Sequence, residues 1–266
     1  MRKILAIFPG KIGDAIYATS SIRLLAQRNP DAEIHWVYGT PGLNQLVNGL
    51  LMDSDLPVAK YIPAPCPYNY EGIHGVEWRD RDWDKIMPGY DAYYNLSIGS
   101  YPESGCHLVE WIARQAGLIK RGERLPSPFL KLKNEWKRGE RTILVHPWVQ
   151  PVERQCPLLM SLKGQYRGYQ VCSIGHKKEP MVPGTIDMRG IPYDQYIAGL
   201  RSTSLVVGVA SSSAVLGAVL DAPTIMVHNI SDPYNAGVSR FGKRFLDLSR
   251  PSFYDIEQAI NELLDL

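Results

Sequence analysis

The sequence is poor in the signals that mark a metal site, a redox centre, a nucleotide-binding glycine loop of the common kinds, or a membrane span. Its four cysteines, Cys66, Cys106, Cys156 and Cys172, stand singly, with no C-x-x-C pair to build a zinc ribbon or a thioredoxin-like motif. In a chain of 266 residues with no secretory signal they read as reduced thiols. No apolar run approaches the roughly 20 residues of a membrane-spanning helix. Met1-Arg2-Lys3 before Ile4–Phe8 begins like a signal peptide, but Pro9-Gly10-Lys11 cuts the apolar run short. The expectation is a soluble, cytoplasmic protein, with peripheral contact to a membrane left open. The net charge of +2 is too small to argue by itself for nucleic acid or an anionic surface. The P-loop pattern G-x-x-x-x-G-K-[ST] is missing, because Lys11 is followed by Ile12 without the required spacing. The dinucleotide fingerprint G-x-G-x-x-G is missing too, which removes the main support for a nicotinamide dehydrogenase.

What is present is an ordinary globular composition, 45% hydrophobic and 21% charged, rich enough in apolar residues to build real cores. Short apolar runs alternate with helical periodicity. Lys3–Phe8 reads as a buried strand, Gly10–Asp14 as a turn, and Ala15, Thr19, Ile22 and Leu25 as one face of a helix. Glu33–Tyr38 then supplies a second strand, completing a βαβ unit and implying a parallel sheet. Val58–Ile62 and Tyr90–Leu96 read as strands, and Cys106–Ala116 as a helix capped by Gly117. The polar, basic stretch Leu130–Arg141 suggests a domain boundary, after which Thr142–His146, Tyr169–Ile174, Ser204–Val209 and Thr224–His228 read as strands. Asp194–Arg201 and Ser212–Leu220 read as helices between them, and Ser252-Phe-Tyr-Asp255 as a capping box opening a terminal helix. The predicted organisation is α/β: a first Rossmann-like domain over 1–138, a second over 139–251, and a C-terminal helix over 252–266 that can pack back on the first.

Chemistry first appears in the loop Phe8-Pro-Gly-Lys-Ile-Gly-Asp14, at the carboxyl end of the first strand, where ligands gather in parallel α/β folds. Gly10 and Gly13 permit close backbone approach, Lys11 lies between them, and Asp14 opens the helix. From spacing alone Asp14 is either a helix-terminal carboxylate or a general base. With its context the segment says more. ILAIFPGKIGDAIYATSSIRLLAQRNPDAEIHWVYG (4–39) resembles the opening of heptosyltransferase-like glycosyltransferases of the GT-B fold. YDAYYNL (90–96), GCHLVEWIARQAGL (105–118), DMRGIPYDQYIAGLRSTSLVVG (187–208) and AVLDAPTIMVHNISDP (218–233) extend the resemblance, with weak stretches at 40–89 and 147–170. The resemblance implies two Rossmann-like domains facing a cleft, a nucleotide-sugar donor in the second, an acceptor on the first, no metal or other cofactor, and transfer with inversion. It gives Asp14 the part of catalytic base.

On the donor side, Ser211, Ser212 and Ser213 stand at a strand–loop–helix junction where hydroxyls and unpaired N–H groups can hold a diphosphate; plain N-capping is the alternative. The family has Asp-Thr-Gly-x-x-His at this junction, but here Ala210 and Val215 replace the aspartate and histidine. That departure puts the sugar, and activity itself, in question. Arg154 lies near where the family places a phosphate-binding lysine, with an exposed surface arginine as the alternative. His176, Lys177 and Glu179 follow a strand, with Glu179 suited to ribose hydroxyls and the cations to phosphate; a solvated turn is the alternative. The aromatic span containing Tyr68, Tyr70, His74, Trp78, Trp83 and Tyr101 suggests either an acceptor surface or a loop pinned by its rings. Asp80-Arg-Asp82 spells a DxD, read as a solvated turn, and Cys106-His107 reads as structural. Four functions remain: transfer to a glycan or glycolipid, transfer to hydroxylated DNA bases, nucleotide-sugar binding without turnover, and epimerisation or hydrolysis of a nucleotide sugar.

Overall fold

A strand with no polar face has to be covered on both sides. In the computed structural model, Ile4–Phe8 are fully buried and belong to β1 (Arg2–Phe8). The structure describes residues 1–8, 10–39, 41–65, 81–97, 106–133, 141–149, 155–162, 164–228 and 244–266. The chain divides into two compact units, Met1–Lys133 and Asn134–Leu266.

In the first unit β1 joins β2 (Ala32–Tyr38), β3 (Lys60–Pro63) and β4 (Ala92–Asn95) in a parallel sheet of order β3-β2-β1-β4. Helix α1 (Ile12–Arg28) follows β1, and α2 (Pro41–Leu46) runs on into a π turn, Val47–Leu51. Two further helices, α3 (Trp83–Ile86) and α4 (Leu108–Gln115), follow among the described residues, and α4 packs along α1. One face of the sheet, Leu5, Ile7 and Val37, is covered by Trp83 with Met87, Tyr90 and Tyr93 against it. Thus Trp83, a member of the aromatic span suggested as an acceptor surface, is 5% exposed and serves the core. The rest of that span lies outside the described residues.

The second unit is built on β5 (Thr142–His146), β6 (Gln165–Tyr166), β7 (Tyr169–Ser173) and β8 (Ile186–Asp187). Helix α5 (Tyr193–Ser202), β9 (Leu205–Val209), α6 (Ser212–Val219), β10 (Thr224–His228), β11 (Phe245–Ser249) and α7 (Phe253–Leu264) follow. The sheet order is β11-β10-β9-β5-β7-β6, with β8 on β7, and every pairing is parallel except the β6–β7 hairpin. Alternate residues Ile143 and Val145, Val207 and Val209, Ile225 and Val227 point to one face. That face is covered by the turn Pro157–Ser161 and by Ile256, Ala259 and Ile260 of α7. The C-terminal helix belongs to the core of the second unit, because its apolar stripe completes the cover of this sheet face. Its start is the expected capping box, with Ser252 and Asp255 bonded reciprocally.

Both sheets have a switch point. From β1 the chain builds β2 and β3 on one side and β4 on the other; from β5 it builds β7 on one side and β9 on the other. Loops leaving neighbouring strands diverge there, opening a crevice at their carboxyl ends.

Candidate functional site

At the first switch point, β1 ends at Phe8 and α1 begins at Ile12, so Gly13 and Asp14 lie in the first helical turn, not in the turn before it. Gly10 is required by packing: a Cβ there would stand 2.3 Å from the Phe8 ring and 3.3 Å from the Asp14 Cβ. Lys11 is the exposed N-cap residue and its side chain makes no cap hydrogen bond. Asp14 is half-buried at the positive end of a 17-residue helix, a position that favours negative charge. Beside it β4 runs out into Leu96, whose N–H donates to the Ile7 carbonyl at 2.8 Å. The Ser97 hydroxyl next to it is buried and has no hydrogen-bond partner among the described residues.

The second switch point holds a denser arrangement. His146, the last residue of β5, is 7% exposed. Its Nε2 lies 3.0 Å from Glu179 Oε2, and its Nδ1 lies 2.7 Å from Ser213 Oγ and 3.1 Å from Ser211 Oγ. A carboxylate only accepts, so Nε2 carries the proton of that bond. Glu179 Oε2 also accepts from the His176 N–H at 2.8 Å. Burial opposes the Glu179 charge most strongly, but the hydrogen bond and charge of His146, with the His176 N–H, hold its carboxyl below the usual glutamate range. Ser213 also shares a hydrogen bond with the hydroxyl of half-buried Tyr196, and desolvation keeps that phenol well above its ordinary value. The pairing of His146 with Glu179 depends on Gly175, at φ 127°, where a Cβ would fall 2.6 Å from His146 Nε2 and 2.2 Å from Glu179 Oε2.

Ser211 is the N-cap residue of α6, yet its side chain makes no cap hydrogen bond, having turned toward His146. The first N–H groups of α6 therefore receive no oxygen from their own cap. Ser213 is buried and committed to His146 and Tyr196, whereas Ser211 and Ser212 are half-buried. Of the basic candidates, His176 is exposed, and its Nδ1 accepts from the Lys178 N–H at 3.2 Å. Lys177 pairs with Asp187 at 2.6 Å. Asp187 is also gripped in a fork by Arg189, which together with Lys177 holds its carboxyl far below the ordinary range. Arg189 donates onward to the Glu179 carbonyl. Arg154 lies outside the described residues, as does Asp80 of the DxD, while Asp82 pairs with Lys85.

The structure thus gathers Glu179, Ser211 and Ser213 around one histidine that sequence reasoning left inside a strand, and keeps Asp14 in a separate unit. The available signal for His146 was its position: an apolar strand ended by a polar residue at the carboxyl end of a sheet. Val215, where the resemblance leads one to expect histidine, is a 4%-exposed core residue of α6. No helix among the described residues is long and apolar enough to cross a membrane.

No family model and no curated protein matches this chain. Solved structures do. A glycosyl transferase family 9 protein from Veillonella parvula has a TM-score of 0.68 at 13% identity, over 99% of this chain and 97% of its own. E. coli ADP-heptose lipopolysaccharide heptosyltransferase II has a TM-score of 0.64 at 16% identity, over 99% and 97%. E. coli heptosyltransferase WaaC, solved with ADP, also has 0.64, at 13% identity over 98% and 99%. At such low identity the likeness is one of fold, and across almost its full length this chain is similar in fold to the heptosyltransferase-type, GT-B glycosyltransferases.

Proposed function

We propose that the protein is a glycosyltransferase that moves a sugar from a nucleoside-diphosphate donor to an acceptor hydroxyl. One observation carries the reading: at the switch point of the second sheet, a helix start without a side-chain cap stands beside a half-buried carboxylate. A diphosphate suits the first and a ribose the second. The N–H groups opening α6, with Ser211 and Ser212, take the phosphate oxygens. The hydrogen bonds from His146 and from the His176 N–H both fall on Glu179 Oε2, leaving Oε1 to accept from a ribose hydroxyl. Lys177 joins the phosphates by leaving Asp187, whose charge Arg189 still balances; His176 lies on the same loop. Asp14 takes the proton of the acceptor hydroxyl as that oxygen attacks the anomeric carbon. The bond to the diphosphate breaks on the opposite side, giving inversion, and fixed donors stabilise the leaving charge. Transfer without added metal, in the presence of a chelator, is the expected behaviour.

ADP is the first nucleotide to test, because WaaC was solved with ADP and with an ADP sugar. A thermal-shift panel of ADP, UDP, GDP and their sugars tests the donor site directly, since a ligand of the folded state raises Tm by mass action. A rise with one nucleotide series supports the reading, and no rise at millimolar ligand overturns it. The acceptor we propose is a glycan or glycolipid hydroxyl; transfer to DNA carrying hydroxylated bases would replace that acceptor. Ala210 and Val215 favour one second reading, a nucleotide-sugar binder without turnover. It predicts the same Tm rise with no release of nucleoside diphosphate in the presence of acceptor.

A further inference from the structure

Nothing in the proposed transfer calls for a histidine at the end of β5, yet His146 is the hub on which the site turns. Its Nδ1 faces two serine oxygens, at 2.7 and 3.1 Å, with one lone pair between them. Each serine hydroxyl has a single proton to give. With a neutral imidazole, Nε2–H donates to Glu179, and the single Nδ1 lone pair draws both serine protons inward in a shared, three-centre bond, since an outward proton sets oxygen and nitrogen lone pairs against each other. Ser211 then shows only lone pairs to an arriving anion, which repels it. With a charged imidazole, Nδ1–H donates to the serine oxygens and the Ser211 proton is free to point outward. Ser213 turns to the Tyr196 hydroxyl, which both donates and accepts. The added charge sits against Glu179, already ionised, so the buried cation is paired.

We propose that His146 is a positioning residue which takes up a proton from solvent when a diphosphate binds at the start of α6, turning the Ser211 hydroxyl into a donor toward the ligand. The inference rests on the donor-site reading above. Among the described residues, the titratable groups facing His146 are Glu179 from the loop after β7 and, through Ser213, Tyr196 of α5. His176, Lys177, Asp187 and Arg189 lie one layer further out. His146 and His176 carry the imidazoles among these, the side-chain type suited to proton uptake near neutral pH, and of the two it is His146 that faces both serines. The linkage has one direction: acid favours binding, and alkali weakens it.

The test is calorimetry of ADP and of inorganic pyrophosphate binding to the whole chain at pH 7.5, in buffers of different ionisation heat. The expected result is uptake of up to about one proton, and an affinity that falls by up to about tenfold per pH unit above the imidazole range. His146→Asn should bind more weakly than wild type at pH 6.5, about equally at pH 8.5, and without the buffer-dependent heat. Subtracting that variant removes protons taken up by the ligand itself. Glu179→Gln, which keeps an acceptor but loses the charge, should reduce the uptake and shift the pH dependence toward acid, an independent check should His146→Asn fold poorly. Tight binding with no proton uptake, or the same uptake in folded His146→Asn, overturns the role of His146 and leaves the donor site standing. No binding of either probe to the folded wild-type chain removes the donor site, and this inference with it.

Discussion

Asp14 and Glu179 are half-buried carboxylates in different settings, and the settings give different expectations. Asp14 has a helix start and a glycine that lets Phe8 pack beneath the loop. As the general base it should be replaceable by Asn with little effect on folding, while turnover falls by a factor on the order of 10²–10⁴. Circular dichroism beside a single-turnover assay reads both, and full turnover by Asp14→Asn would take the residue out of the mechanism. Glu179 is held below the glutamate range by His146 and the His176 N–H against the larger opposing effect of burial. Its folded-state value lies below the unfolded one, so its contribution to stability is present above about pH 4.5 and is lost as pH falls through the folded value. Tm should therefore drop more steeply below pH 4.5 in wild type than in Glu179→Gln, with the two curves running parallel near neutrality. A shared acid limb would mean that the pair adds nothing to folding.

At the scale of elements, α7 is the clearest case of packing deciding what an amphipathic pattern means. Its stripe of Ile256, Ala259 and Ile260 could cover any apolar surface, and it completes the core of the second sheet alongside Leu159 and Leu162. Ile256 is fully buried, so Ile256→Ala should cost about 2–5 kcal/mol, the transfer of the lost methyl groups plus the cavity left behind. Urea unfolding measures this; a loss below about 0.5 kcal/mol would contradict burial at this position. The strands show the same logic in reverse. β5, β9 and β10 were readable because both faces are buried and their sequences are continuous apolar runs. β11, Phe245–Ser249, is a half-exposed edge strand in which Leu246 and Leu248 alternate with Asp247 and Ser249, a period-2 pattern too short to stand out in the sequence.

For the whole molecule, the division into two units gives a spatial expectation. If the donor is held by the second unit, ADP should slow amide exchange in peptides spanning the ends of β5, β7 and β9 and the start of α6. Peptides from β1 to β4 should change little. Hydrogen exchange followed by mass spectrometry reads this directly, because protection reports local opening free energy. Protection centred on the β1–α1 loop would reverse the assignment of donor and acceptor units.

By itself, the sequence determined the α/β class, the buried parallel strands, the capping box at Ser252 and the position of Asp14 at the start of the first helix. These follow from local periodicity and from residue types with strong conformational meaning over a few neighbouring positions. Where helix α7 packs and what surrounds His146 were decided by tertiary structure. The contacts of His146 span 33 residues to Glu179 and 65 and 67 to the serines, and no local pattern records them. They exist because parallel strands set every carboxyl end on one edge of the sheet, and because Gly175 leaves room for an imidazole and a carboxylate to meet there.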